Sequence, residues 1–163
     1  MKIALIGATG YVGTALLAEA TRRGHQVTAL VRDPAKVPAQ PNVTALAVDA
    51  TDAQALTAAL RGHEAVLSAF SGHAQTDVQH YYLRGFNAIV QATRAAGVPR
   101  LLAVGGAGSL EVAPGVQLLD TPQFPAQWKG TAEGARQALL LLRQQPDLDW
   151  TMLSPAAHLE PGE

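Results

Sequence analysis

The chain has 163 residues, which is the length of one domain. A domain of this size can bury roughly 70% of its unfolded surface and needs no disulfide or metal to stabilise it. It contains no cysteine, which excludes disulfides, thiolate nucleophiles and cysteine zinc sites, and its net charge of −1 argues against a nucleic-acid partner. No apolar run approaches the roughly 20 residues of a membrane span, and the first predicted strand begins too early for a signal peptide, so we expect a cytoplasmic protein with no membrane partner.

Apolar runs that predict strands alternate with helical patterns along the chain, which is the order of elements in an α/β domain. The predicted strands cover residues 3–6, 26–31, 43–48, 65–70, 100–104 and 150–153. The predicted helices cover residues 11–23, a short turn after Pro34, residues 53–60, about 77–96 and roughly 127–145. Six strands with helical crossovers predict a single-domain, doubly wound parallel sheet in the strand order 3-2-1-4-5-6.

Residues 105–127 contain several prolines and follow neither the helical nor the strand period, so we predict a long irregular segment there. An irregular stretch of this length inside a compact domain is usually functional or mobile. Residues 156–163 show no helix or strand pattern either, and we expect them to form an irregular end.

A glycine-rich corner directly follows the first predicted strand. Gly7, Gly10 and Gly13 stand at GxxGxxG spacing, and an apolar helical pattern starts at Tyr11. In a dinucleotide site the first glycine allows a sharp turn, the second lets the backbone approach the pyrophosphate, and the third lets the helix pack close to the strand. The N–H groups of residues 9–12 would then face the phosphates at the positive end of the helix dipole. An ordinary strand-turn-helix corner is the alternative, but this context favours cofactor binding.

The ligand of an open parallel sheet lies beyond the carboxyl ends of its strands, so the residues that follow each strand form one candidate site. This rule and the glycine motif give one set of cofactor-binding candidates. They are Gly7, Thr9, Gly10, Tyr11, Val12, Arg32, Asp49, Ala50, Ser68, Ala69, Phe70, Gly105 and Pro155. For Asp49 the alternative is a turn or helix-cap residue, although Asp52 is the better cap candidate.

Arg32 follows the second predicted strand, where an NAD enzyme carries a carboxylate that binds the ribose hydroxyls. A guanidinium there pairs instead with the 2′-phosphate of NADP. Asp33 offers a neighbouring carboxylate, but its place before Pro34 favours capping of a short helical turn. The sequence therefore predicts NADP(H) as the preferred cofactor and NAD(H) as the alternative, and the alternative role of Arg32 is a solvated surface charge.

None of the five histidines stands at a metal-ligand spacing from another histidine or a carboxylate, so we expect no metal site. His73 and His158 follow the fourth and the sixth predicted strand, at the edge that faces the ligand. Both are candidates for contact with a substrate, and the alternative is that both are exposed loop residues.

Several motifs resemble the atypical branch of the short-chain dehydrogenase/reductase superfamily, in particular its proposed NADH-flavin reductases and, more distantly, the biliverdin-IXβ/flavin reductases. The motifs are GATGYVG, VTALVRDPAKV, VDATD, LLAVGGAGSL, FPAQWK and DWTMLSPAAHLEPGE, and together they cover nearly the whole chain. The resemblance implies an NAD(P)-binding Rossmann fold with a nicotinamide cofactor. Members continue for some tens of residues beyond the sixth strand, so residues 1–163 are expected to lack the last part of the family's full domain.

The resemblance also implies roles for individual residues. Asp49 would meet the adenine amino group, and residues 68–70 would line the ribose and the nicotinamide. The superfamily's catalytic helix carries a YxxxK motif, and alignment on Lys129 places Pro125 where the tyrosine would stand. Ser109 is the candidate hydroxyl partner, with a turn residue as its alternative role. Ser109 and Lys129 are therefore the catalytic candidates, and the Tyr-Lys pair is missing.

The function that these features favour is an NAD(P)H-dependent oxidoreductase of the flavin reductase type. It would reduce a small-molecule acceptor, a flavin or quinone-like compound, by hydride transfer without the Tyr-Lys pair. One alternative is a regulator that senses NADP without turnover. Another is a relative of nucleotide-sugar epimerases and dehydratases, which is disfavoured because those enzymes need the tyrosine and a substrate domain of roughly a hundred further residues.

Overall fold

The computed structural model describes residues 1–73, 75–160 and 162, and eight strands occur among them. They are β1 (Lys2–Ile6), β2 (Gln26–Val31), β3 (Val43–Ala47), β4 (Ala65–Ser68), β5 (Arg100–Val104), β6 (Glu111–Ala113), β7 (Val116–Gln117) and β8 (Asp149–Leu153). All except β6 and β7 form one parallel sheet in the order β3-β2-β1-β4-β5-β8. Because β8 is the sixth strand of this sheet along the chain, the predicted doubly wound order is confirmed.

Four α-helices connect these strands: α1 (Tyr11–Arg22), α2 (Ala53–Leu60), α3 (Val78–Ala95) and α4 (Lys129–Arg143). Each starts and ends within two residues of its predicted bounds. Asp52 caps α2, since its carboxylate accepts the N–H groups of Gln54 and Ala55 at 3.0 Å, as expected for this residue type. None of the described helices has the length and the apolar character that crossing a membrane requires.

The segment of residues 105–127 is more regular than the sequence predicted, and that prediction was wrong. β6 and β7 pair as a short antiparallel hairpin, and 3₁₀ turns form at Ala107–Ser109, Leu118–Asp120 and Ala126–Trp128. All three residues of β6 are exposed, so no apolar alternation marks the hairpin in the sequence. Residues 156–160 and 162 form no helix or strand, as predicted, and Pro161 and Glu163 lie outside the described residues.

Side chains of the sheet alternate between two apolar layers, which fixes where the helices lie. On one face Ile6 packs in a cluster with Phe86 and Ile89 of α3. On the opposite face its neighbour Leu5 packs in a cluster with Leu17 of α1. Helices therefore cover both faces, and the carboxyl ends of the strands remain as an edge where a ligand can bind.

Candidate functional site

The glycine corner, residues 7–13, is shaped by two close backbone contacts. Gly7 has φ +81°, and a Cβ there would lie 2.6 Å from the carbonyl oxygen of Ala69 on the neighbouring strand's extension. A Cβ at Gly13 would overlap the carbonyl oxygen of Gly7. Only glycine fits at these two positions, because the contacting atoms belong to the backbone and cannot swing away. Gly7 therefore forms the predicted sharp turn, and Gly13 allows the predicted close packing of α1 against the end of β1.

The N-terminus of α1 fits an anionic group. Gly10 caps the helix with extended backbone, and the first helical hydrogen bond runs from the N–H of Thr14 to the carbonyl oxygen of Gly10 at 2.9 Å. The N–H groups of Tyr11 and Val12 precede that bond, so they are not used inside the helix. No side chain of the described residues caps α1, and its first turn carries no acidic residue. These donors and the helix dipole suit a pyrophosphate.

A cleft of about 250 Å³, here called the cofactor cleft, opens at this corner. It extends from residues that follow β3, past the ends of β2 and β1, to the end of β4. The predicted residues that line it are Gly7, Thr9, Gly10, Arg32, Ala50, Ala69 and Phe70. The site thus collects residues from four different strand ends, as the carboxyl-edge rule predicted.

Arg32 lies at one end of the cofactor cleft and is exposed. Its neighbour Asp33 accepts the N–H of Ala35 at 3.1 Å and caps the Pro34–Lys36 turn, so the predicted capping role is confirmed. No carboxylate of the described residues lies within 4 Å of the Arg32 guanidinium. The charge of Arg32 is therefore directed at solvent and at the cleft.

Asp49 does not line the cofactor cleft, although it directly follows the third predicted strand. Its Oδ1 accepts the N–H and the hydroxyl of Thr51 at 2.8 and 2.9 Å, which is the turn role weighed as the alternative. The N–H of Thr51 is the main cause that lowers the pKa of Asp49, and the charges of Arg84 and Arg32 add to it. The predicted adenine contact stays a prediction.

Other predicted residues also lie away from the cleft lining. Ser68 is buried, and its hydroxyl accepts the N–H of Phe70 at 3.4 Å. This hydrogen bond holds the backbone that directly follows β4. Gly105 donates its N–H to the carbonyl oxygen of Leu153 at 2.9 Å, which joins the ends of β5 and β8. Tyr11, Val12, Gly105 and Pro155 are not among the residues that line the cofactor cleft. Their roles in cofactor binding stay predictions.

Sequence reasoning missed much of the far wall of the cofactor cleft. This wall consists of Ser71, Gly72, His73, Gln75 and Tyr81, and only His73 was singled out beforehand. The ring of Phe70 lies 5.6 Å from that of Tyr81 and fits over Gly85, where a Cβ would overlap it. The glycine inside a predicted helix was the available signal for this close approach. His158 is 92% exposed and does not line the cleft.

The two catalytic candidates are not brought together at the cleft. Ser109 sits in a 3₁₀ turn and donates its hydroxyl to the carbonyl oxygen of Gly106 at 3.3 Å, with Ser154 Oγ 3.5 Å away. Lys129 starts α4 and lines a separate cavity of about 500 Å³ together with Glu133. Neither residue lines the cofactor cleft, and their catalytic roles stay predictions.

An ion-pair network anchors residues 117–120 to α4. Arg136 donates to Asp120 at 2.8 Å, to Gln117 at 3.2 Å, and to Glu133. The hydrogen bond from Gln137 and the one from Arg136 hold the pKa of Glu133 below its usual range. The network is partly exposed, so its role is to position the segment rather than to supply much stability.

A family model described as NAD(P)H-binding matches residues 7–162 of this chain. The match begins at Gly7 and contains the glycine corner and every described lining residue of the cofactor cleft except Ile6. The chain belongs to the NAD(P)H-binding family. This confirms the resemblance at the level of the family and of its Rossmann-type fold, and it supports a nicotinamide cofactor for the cleft.

Solved structures of the same fold include proteins with different descriptions. A proposed exported protein of Burkholderia pseudomallei is 47% identical with a TM-score of 0.87, and the match covers 100% of this chain and 76% of that one. A proposed epimerase of Bacteroides thetaiotaomicron is 36% identical with a TM-score of 0.91, covering 99% and 74%. A proposed NADH-flavin reductase of Streptococcus pneumoniae is 36% identical with a TM-score of 0.79, covering 96% and 72%. The cytoplasmic location expected from the sequence stays a prediction.

Proposed function

We propose that this protein is an NADPH-dependent reductase of planar, conjugated acceptors such as flavins and quinones. The observation that carries the proposal is the cofactor cleft, which joins a helix N-terminus without a side-chain cap among the described residues to the exposed Arg32. A pyrophosphate and a 2′-phosphate need this pair of features. The similarity to a proposed NADH-flavin reductase supports the same type of acceptor.

Different residues in and beside the cleft would bind the two phosphate groups of the cofactor, the pyrophosphate and the 2′-phosphate. The N–H groups of Tyr11 and Val12, at the start of α1 directly after the cleft residue Gly10, would hold the pyrophosphate. The guanidinium of Arg32, which lines the cleft, would hold the 2′-phosphate by charge-assisted hydrogen bonds. Arg84, whose charge also acts on Asp49, lies with its guanidinium 5.7 Å from the centroid of the Tyr81 ring and adds positive potential beside the cleft. This arrangement favours NADPH over NADH because only NADPH carries the additional phosphate.

The proposed acceptor class follows from the proton donors that the chain offers. The bound nicotinamide supplies a hydride. A simple ketone would become an alkoxide, which needs a positioned proton donor, and such help is typically worth 10²–10⁴-fold in rate. Alignment on Lys129 places Pro125 at the position of the superfamily tyrosine, and burial raises the pKa of Tyr82, which packs against Phe86. Tyr81 lines the cleft but has Gly85, not a lysine, four residues on, so it forms no Tyr-Lys pair. A reduced flavin or quinone carries a delocalised anion that takes its proton from water, so positioning is sufficient.

The test is steady-state oxidation of NADPH with FMN, riboflavin and menadione in one series and with ketones and nucleotide sugars in another. We expect turnover in the first series and very slow turnover in the second. Robust reduction of a ketone would contradict the proposed acceptor class. Tight NADPH binding without oxidation by any acceptor would instead favour the regulator that senses NADP.

The epimerase alternative has one observation in its favour, the similarity to a proposed epimerase of Bacteroides thetaiotaomicron. An epimerase that works through a keto intermediate needs a general base and acid beside the sugar, which the Pro125 position does not supply. Incubation with NAD⁺ and a panel of nucleotide sugars, followed by chromatography of the sugars, separates the two functions. We expect no interconversion.

A further inference from the structure

A second cavity of about 350 Å³ lies between the β4–α3 loop and the start of α4. Its lining residues are His73, Val78, Gln127, Trp128 and Thr131, and it is called the Trp128 cavity below. His73 also lines the cofactor cleft, so the two spaces share a wall. The shared wall is at the β4 end of the cleft, away from Arg32, which directly follows β2.

The Trp128 cavity has an aromatic surface, and its described lining carries neither carboxylates nor Lys or Arg. Trp128 is 49% exposed, although the chain has only two tryptophans and few aromatic residues in all. The ring of His73 meets the indole edge to face, with 6.1 Å between the centroids and 83° between the planes. Thr131 Oγ1 lies 3.5 Å from Nδ1 of His73.

We propose that the Trp128 cavity holds the planar ring of the acceptor, and this inference rests on the proposed function. A half-exposed indole in a concave site offers a flat apolar face for stacking. The side chains of Gln127 and His73 offer hydrogen bonds to the carbonyl and nitrogen edge of such a ring. A lining whose described residues include no Lys or Arg favours a conjugated ring over a substrate that would place a diphosphate or carboxylate there.

The reaction at this place balances without a further reagent. The reduced dinucleotide loses a hydride, which carries two electrons and one hydrogen nucleus, and becomes the oxidised dinucleotide. The ring of the flavin or quinone gains that hydride together with one proton from water and becomes its two-electron reduced form. The cavity lining only holds the ring beside the cleft, so Trp128 is a binding residue and takes no part in proton transfer.

The test is equilibrium binding of riboflavin and of menadione to the wild-type protein and to Trp128→Ala in the presence of NADP⁺, which supplies no hydride. Riboflavin binding is followed by its fluorescence anisotropy, and menadione binding by calorimetry. We expect Trp128→Ala to weaken binding of at least one probe tenfold or more, within the range that stacking on an aromatic side chain commonly contributes. Trp128→Phe keeps a flat ring and should bind within about threefold of the wild type.

Leu140→Ala is the matched control. Leu140 lies on α4, is 49% exposed like Trp128, and lines none of the cavities described above. It should bind both probes like the wild type. NADPH titration should give unchanged affinity for Trp128→Ala, which shows that this variant is folded and that its cofactor cleft is intact.

The outcomes separate this inference from the proposed function. Loss of riboflavin binding alone identifies a flavin, and loss of menadione binding alone identifies a quinone. Wild-type affinity of Trp128→Ala for both probes, with NADPH oxidation retained, would overturn the inference and leave the reductase standing. Equal losses of NADPH and probe affinity would overturn it as well. A wild-type protein that binds no probe and oxidises no NADPH would overturn both.

Discussion

The glycine corner and the segment of residues 105–128 are built by opposite means, although both lie along the carboxyl edge of the sheet. Backbone contacts at Gly7 and Gly13 leave no room for a side chain, so the corner has one shape. In the segment, the exposed hairpin of β6 and β7 is joined to the domain by polar contacts such as that between Arg136 and Asp120. Under the proposed function the corner would bind the dinucleotide, whereas the segment ends at Trp128, which would bind the acceptor ring.

This difference shows why the cofactor class can be derived more firmly than the acceptor. Close backbone contacts allow only glycine at certain positions of the corner, so the glycines recur at fixed spacing. Such a pattern can be recognised in a single sequence. Partly exposed ion pairs restrict residue types weakly, because other polar side chains can replace them at a cost of about 1 kcal/mol or less. Variants in the two regions should therefore differ in size of effect and in the ligand that they affect.

The largest expected effect is the loss of the fold in Gly13→Val. The added Cβ would overlap the carbonyl oxygen of Gly7 and lie 3.0 Å from Cα of Ala8, and backbone atoms cannot give way as side chains do. We expect a loss of at least about 3 kcal/mol in the free energy of unfolding, measured by urea denaturation with circular dichroism.

Gly130 provides the control for that variant. It lies in α4, and a Cβ there meets no atom within 4 Å. Gly130→Ala should raise the free energy of unfolding by roughly 0.5–1 kcal/mol, because alanine is the better helix former. A Gly13→Val protein with the urea midpoint of the wild type would show that the corner is not a rigid cradle.

The sequence could predict those parts of the molecule that local sterics or side-chain period determine. The strand order, the caps at Asp33 and Asp52, and the cradle at Gly7 all follow from such rules. Tyr81 could not be assigned to the cofactor cleft, because it reaches the cleft only through the way α3 lies across the end of β4.

Lys129 shows the same limit of sequence-based prediction, because here the sequence assigned a residue to a site that it does not line. Alignment with the YxxxK motif placed it on the catalytic helix of the superfamily, but in the fold it lines a different cavity from the cofactor cleft. The direction in which α4 begins depends on tertiary contacts such as Arg136 with Asp120, which no local pattern encodes. Alignment with a family motif can therefore assign a residue to the correct helix, but it does not determine which cavity the side chain lines.

Arg32→Ala should have the next largest effect, and it should be selective for one cofactor. If the guanidinium holds the 2′-phosphate, the variant should lose about 1.5–3 kcal/mol of binding free energy for NADPH and far less for NADH. Titrations that follow the fluorescence of each cofactor measure both values. Arg61→Ala removes the same charge at the opposite edge of the sheet, where Arg61 lines another cavity, and should change neither affinity. Equal losses for the two cofactors in Arg32→Ala would rule out the phosphate contact.

Smaller effects are expected at the two catalytic candidates. Ser109→Ala and Lys129→Ala should each lower the rate of flavin reduction by less than about tenfold, below the usual range for a general acid. Both side chains lie outside the cofactor cleft lining, which supports this expectation. Single-turnover oxidation of NADPH measures the rate without product release. A thousand-fold loss in either variant would reveal a proton-donating role.

The smallest effect is expected in the network of Arg136, and it should depend on pH. The pKa of Glu133 is lowered in the folded protein, so this carboxylate contributes stability above its unfolded pKa of about 4.3 and loses that contribution as the pH falls through its folded pKa. Arg136→Gln should lower the free energy of unfolding by roughly 0.2–1 kcal/mol at neutral pH. The difference should shrink in acid and leave NADPH affinity unchanged. A difference that grows below pH 4 would contradict this role of the ion pair.

The most direct measurement is the NADPH affinity of the Gly10→Val variant, because this substitution should weaken cofactor binding without affecting folding. Its backbone is extended with φ −82°, which valine adopts readily, and a Cβ there would lie 3.4 Å from the carbonyl oxygen of Gly7, an ordinary contact. The variant should therefore fold with wild-type circular dichroism. The valine side chain would occupy the cofactor cleft where the pyrophosphate must approach, so NADPH affinity should fall at least about tenfold, or 1.4 kcal/mol. Unchanged affinity in the folded variant would show that the glycine corner is not the dinucleotide site.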